Sequence, residues 1–139
     1  LEFQWIFVSF SQGDNNHNSN FKEWGFGMAN VFVGITTYKV FMYGGPNGNG
    51  GADAAISLGI PEGWAFMRFF PEGYDIPANS KVTHVSGKPI YYINYRSDQL
   101  ENCIDLLRNE KPMYFFFNDT TKAAYITTSD EPVGEDEGL

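Results

Sequence analysis

PIYYINYRSDQLENCIDLLRNEKPMYFFFN, residues 89–118, places the chain's one clearly helical segment between two aromatic runs. Leu100, Cys103, Ile104 and Leu107 recur at i, i+3, i+4 and i+7, which aligns them in a single apolar stripe. Ser97 has the side chain of an N-cap, and Asp98 and Glu101 suit the positive end of a helix dipole. Arg108 and Lys111 stand at or just beyond the negative end, and Pro112 stops the helix. The pattern predicts an amphipathic helix over 97–110. On either side, 89–95 and 113–118 carry the β-branched and aromatic types of strands. A helix of that length returns the chain about 21 Å, so these two strands are expected to run parallel through a right-handed crossover.

Working outward, Pro-Glu-Gly occurs at 61–63 and again at 71–73. Proline presets a turn's first corner and glycine accepts the positive φ of a later one, so the pair brackets a strand at 64–70. Residues 3–10, 24–33, 36–43, 81–85 and 123–128 read as further strands. Gly34 marks a turn or bulge, and a hairpin turns near Ser86 and Gly87. ADAAISLGI, residues 52–60, reads as a short helix. The fold expected is α+β and mostly β: a curled or barrel-like, largely antiparallel sheet with one C-terminal amphipathic helix. Residues 1–129 form one β-rich domain, and 130–139 form an acidic tail.

Several of these strands are apolar on both faces. Met113, Phe115 and Phe117 oppose Tyr114 and Phe116, and Trp64, Phe66 and Phe70 oppose Ala65, Met67 and Phe69. One helix cannot cover so many faces. The cover must come from a second sheet layer, a long loop or another copy of the chain, and a homo-oligomer is the expected form. Inward aromatics that leave room between them would instead line a pocket for a small molecule.

The formal charge of −8 is uneven. Asp130, Glu131, Glu135, Asp136 and Glu137 lie in one short run; removing those five from the 17 acidic residues leaves 12 against nine basic ones. Such a balance repels a phosphate backbone and argues against nucleic-acid binding. A single cysteine, Cys103, excludes an internal disulfide and favours a reducing compartment. It lies on the helix's apolar stripe and reads as core. No apolar run reaches the ~18–20 residues of a membrane span and no signal-peptide pattern opens the chain, so neither a membrane nor secretion is expected.

The motifs that imitate known chemistry fail on their details. The glycine-rich stretch YGGPNGNGGAD, residues 43–53, lacks the lysine and hydroxyl of a phosphate-binding P-loop. Gly48 and Gly50 fit a dinucleotide loop, but its third glycine is replaced by Asp53. The stretch reads as a flexible connector. Asp14, Asn16 and Asn18 start like a calcium loop, yet Ser19 and Gly25 stand where glycine and glutamate are required. His17 and His84 are the only histidines, with no cysteine near either in sequence, so no metal or cofactor is expected.

Four residues mix polar tips with apolar strands and are the candidate ligand contacts: Tyr92, Phe66, Arg68 and His84. Arg68 sits between Met67 and Phe69 and must exit to solvent or pair with a carboxylate or ligand anion; a structural ion pair is expected. His84 has two readings: a histidine simply hydrogen-bonded at a strand edge, which is the commoner case, or one lining a barrel interior, where Asp75 or Glu72 nearby would make it a general base.

LLRNEKP at 106–112, the aromatic strand after it and EPVGE at 131–135 resemble the ending of small bacterial proteins carried on mobile elements, including integron gene cassettes. That ending runs L-L-R-x-E-K-P, aromatic strand, E-P-V-G-E, and it covers the C-terminal third. The resemblance implies a bacterial, cytoplasmic accessory protein with a β-rich fold. It carries no established activity, so no site residue transfers. The function expected is a non-enzymatic, oligomeric protein that binds a small molecule or protein partner through an aromatic-lined cavity or groove. The alternatives are a small isomerase- or hydrolase-type enzyme using His84 or a carboxylate, and an immunity-like acidic protein that neutralises a basic toxin.

Overall fold

The computed structural model describes residues 30–45 and 48–134. The expected strand at 3–10, the first part of that at 24–33, the calcium-like loop, His17 and the end of the acidic tail lie outside them.

The fold is α+β and mostly β, as expected, but its strands divide between two open sheets and do not close into a barrel. The first strand, β1 (Asn30–Ile35), and the second, β2 (Thr37–Met42), are almost continuous in sequence yet belong to different sheets. Thr36 is the corner between them, its N–H donating to the Gly59 carbonyl at 2.9 Å. Gly34, expected to interrupt a strand, lies inside β1.

Then follow β3 (Ala54–Gly59), β4 (Trp64–Phe70), β5 (Ser80–Thr83), β6 (Pro89–Arg96), a helix α1 (Leu100–Asn109), β7 (Met113–Asn118) and β8 (Ala124–Thr128). One sheet has the order β1-β7-β8, all antiparallel; the other has the order β2-β3-β4-β6-β5. Its pairs are antiparallel except β4 and β6, which are parallel. The expected crossover is therefore corrected. The parallel partner of β6 is β4, while α1 carries the chain from the five-stranded sheet to β7 in the other. The short helix expected at 52–60 is also corrected. Its alanines, good helix formers, lie buried in the interior strand β3, paired on one side with β2 and on the other with β4.

Alternation assigns each residue to a face. The inner face of the five-stranded sheet carries Ala54, Ile56 and Leu58, then Ala65, Met67 and Phe69, then Tyr91 and Ile93, all buried. It meets Met113, Phe115 and Phe117 of β7, and the Tyr91 ring packs 5.3 Å from Phe115 and 5.0 Å from Phe117. The second sheet layer is thus one source of the cover that the two-faced strands required. Cys103 and Leu107 of α1 close the same core, as the helical stripe predicts. Each large apolar side chain buried there contributes about 1.5–3 kcal/mol.

Two details of the helix differ from expectation. Residues 97–99 form a 3-10 turn ahead of α1, and Ser97 does not cap it; its Oγ donates to Asp53 Oδ1 at 2.7 Å. At the far end of β7, the Asn118 side chain is buried and accepts the N–H groups of Thr120 and Thr121, both at 2.8 Å, which shapes the β7–β8 turn.

Candidate functional site

The outer face of the five-stranded sheet gathers the four sequence-predicted residues. Register alone aligns them: Phe66 is opposite Tyr92 and Arg68 is opposite Asn94 on the parallel pair. On the other side of β4, Ser57 faces Phe66 and Ala55 faces Arg68, and beyond them come Lys39 and Phe41 of β2. The Phe66 and Tyr92 rings stack at 5.8 Å. His84 joins them at the end of the face, where its ring lies 4.8 Å from Trp64.

Arg68 is central. Its Nε donates to Asn94 Oδ1 at 2.9 Å, and its Cζ lies 4.3 Å from the Tyr92 ring centroid and 5.5 Å from that of Phe70. The expected ion pair is corrected, because no carboxylate meets this guanidinium among the described residues. The parallel register brings Asn94, and no acid, across from it. Burial pulls Arg68 below its ordinary value, opposed by the phenols of Tyr92, Tyr74 and Tyr43. Arginine stays charged regardless, so the shift measures how far this cation is desolvated.

The rest of the neighbourhood fixes the arginine in place. Asn94 Nδ2 donates to the Pro77 and Ala78 carbonyls at 3.1 and 3.0 Å, and its backbone N–H donates to Asn79 Oδ1 at 2.9 Å. These bonds orient the amide with its oxygen toward Arg68. Arg96 Nη1 holds the turn after β4 through the carbonyls of Pro71, at 3.0 Å, and Tyr74, at 2.7 Å. That turn brings the Tyr74 ring onto Phe70 at 5.2 Å, and the Tyr74 hydroxyl donates to the Gly50 carbonyl at 3.1 Å.

The glycine-rich stretch is thereby reinterpreted. It joins β2 to β3, with the Tyr43 N–H donating to the Asp53 carbonyl at 3.1 Å, and Gly50 lies over Arg68. A Cβ on Gly50 would stand 2.7 Å from Arg68 Nη1, and φ there is +67°. Glycine serves close approach here. Asn94 and Tyr74 were not singled out from sequence, and Gly50 and Trp64 were read only as loop and strand residues; the asparagine within the aromatic and apolar YYINY was the one signal available.

For His84 the strand-edge reading holds and the interior one is corrected. It is exposed in the turn between β5 and β6, outside the core, and its Nδ1 accepts the Ser86 N–H at 3.1 Å. Ser86 Oγ is 2.9 Å from the same nitrogen. Its partners are Ser86 and Trp64, not Asp75 or Glu72, so the arrangement expected of a general base is not assembled. The inner aromatics are packed together in the core. A cleft of about 610 Å³ lies between 35–38 and 107–113, and one of about 500 Å³ lies beside Glu72, Arg96 and Asp98. None of the four predicted residues lines either.

No group of three or more His, Cys, Asp or Glu among the described residues is placed to hold a metal ion, and no helix among them is long and apolar enough to cross a membrane. Set against protein-family models, curated proteins and solved structures, the chain matches none.

Proposed function

We propose that the protein is a non-enzymatic binding module of the bacterial cytoplasm whose ligand docks on the outer face of the five-stranded sheet, over Phe66, Arg68 and Tyr92. The observation that supports this reading is Arg68 itself: a half-buried cation on an aromatic surface, held in one orientation by Asn94 and without a counter-charge among the described residues. A guanidinium serving only the fold is normally paired with an acid. In this reading the aromatic groove expected from sequence is a face of the sheet, over Phe66, Arg68 and Tyr92. The enzymatic alternative, in the form built on His84, would require a carboxylate beside that ring, and its partners are Ser86 and Trp64.

The homo-oligomer stays part of the proposal. Met42, 70% exposed at the end of edge strand β2, and Val82, 45% exposed on edge strand β5, are apolar positions at which a second copy can pair without covering the face. Native mass spectrometry of freshly purified protein, with a denatured control, tests both ideas. Added mass that is lost on denaturation supports a ligand, and a multiple of 15.7 kDa supports the oligomer. A bare monomer that also binds nothing from a small-molecule extract counts against both.

A further inference from the structure

We propose that the ligand of this face is a small oxyanion on a flat ring, a carboxylate or phosphate attached to an aromatic or heteroaromatic body, with the oxyanion held by Arg68. This inference rests on the reading of the face as a binding surface and adds the chemistry of what it binds.

The guanidinium has five N–H donors in a planar fork. The one on Nε is satisfied by Asn94, and the four on Nη1 and Nη2 have no hydrogen-bond partner among the described residues. Two parallel N–H groups from the Nη pair match the two oxygens of a carboxylate or phosphate, and charge-assisted bonds of this kind are about twice as strong as neutral ones. The fork is oriented before any ligand arrives. Its Nε is tied to an amide that is itself tied to the 77–78 carbonyls, and its central carbon lies over the Tyr92 ring. The hydroxyls of Tyr43 and Tyr92 make no hydrogen bond among the described residues and belong to the phenols near enough to bear on the Arg68 charge.

Charge on the face has the matching sign. In a chain of net charge −8, the strand residues on this outer face include Lys39, Arg68 and Arg96 and no aspartate or glutamate. The flat body is recognised beside the fork, where Phe66 stacks on Tyr92 one register step away and Phe41 stands two strands across. Rings offer faces to other rings and are tolerant of their identity. The chain's overall charge opposes a long polyanion, which limits the ligand to one or a few anionic groups.

The test is a ¹⁵N chemical-shift titration of the whole chain at millimolar concentrations of four probes: benzoate, phenyl phosphate, uncharged benzamide and a short oligothymidylate. Benzoate and phenyl phosphate are expected to shift the Arg68 Nε–H and the amides of 66–70 and 90–94. Arg68→Gln is expected to weaken both by about tenfold or more, and Arg68→Lys, which keeps charge but loses the fork, by an intermediate factor. Should Arg68→Gln fail to fold, the wild-type salt dependence decides, since benzoate affinity must fall with ionic strength. Benzamide shifting the same amides as strongly as benzoate overturns the oxyanion inference while leaving a binding face. Silence from every probe at these amides overturns the binding face as well. Oligothymidylate binding far more tightly than phenyl phosphate replaces the small anion with a nucleic acid.

Discussion

Arg68 and Tyr92 are diagonal neighbours across the parallel strands β4 and β6, with the guanidinium carbon 4.3 Å from the centroid of the phenol ring. A cation at that distance over a ring is attracted by the ring's quadrupole, by about 0.5–1 kcal/mol when exposed and about 2 when desolvated. Arg68 is half-buried, so the coupling belongs between those values. A double-mutant cycle with Arg68→Met, which retains the stem, and Tyr92→Leu is expected to give about 1 kcal/mol in urea unfolding. Additive single effects would mean that the two side chains are neighbours without being energetically coupled.

Gly50 sets the position of that guanidinium from above. Gly50→Ala places a methyl group 2.7 Å from Arg68 Nη1 at a residue whose φ is +67°. The backbone part costs about 1–2 kcal/mol, and the steric part is relieved by moving the arginine, which costs anion affinity. Gly73→Ala is the control, with φ at +88° and nothing within 4 Å of the added carbon. Both variants should lose similar stability, but only Gly50→Ala should move the Arg68 Nε–H resonance. Identical spectra around Arg68 in the two would refute the close approach.

Elements were legible wherever the signal was local. The two Pro-Glu-Gly turns delimit β4 from Trp64 to Phe70 as observed, and the stripe from Leu100 to Leu107 finds α1 and its buried Cys103 and Leu107. Pairing was not legible, because it joins segments far apart in sequence. Nothing local tells β6 to lie along β4 and sends β7 to the other sheet. The same gap explains the site. Phe66, Arg68 and Tyr92 stand out as residues, but Asn94 becomes the arginine's partner only through the β4–β6 register. Ala54–Gly59 misled for a different reason: alanine favours helix by propensity, and a central position between two strands overrides it.

Two phenylalanines on opposite faces of β4 should separate core from site. Phe69 is fully buried and stacks on Tyr95 at 5.3 Å, while Phe66 is half-buried on the outer face. Phe69→Ala is expected to cost about 3–5 kcal/mol in unfolding free energy. Phe66→Ala is expected to cost about 1 kcal/mol or less and to weaken benzoate binding instead. Equal losses of stability would place Phe66 in a packed core and remove it from the binding face.

Alkaline pH tests the core itself. Burial pushes the Cys103 thiol up to about 11 from an ordinary 9.0. Burial also raises the Tyr95 and Tyr91 phenols above 10.0, with smaller contributions from Cys103 at Tyr95 and from Asp119 and Glu62 at Tyr91. A folded-state value raised above the unfolded one means that the unfolded chain gives up its proton first. The stability from keeping these groups neutral is therefore complete below about pH 9 and falls as pH climbs through 11. For Cys103 the loss across that window is on the order of 2 kcal/mol, at about 1.4 kcal/mol per unit. Urea midpoints measured from neutral pH upward should stay level and then decline, with Cys103→Ala declining less than wild type between 9 and 11. Tyr95→Phe keeps the ring against Phe69 and should remove part of the decline that begins above pH 10. If wild type and Cys103→Ala fall together through the whole range, the thiol is not held in the apolar core and the packing of α1 against the two sheets is wrong.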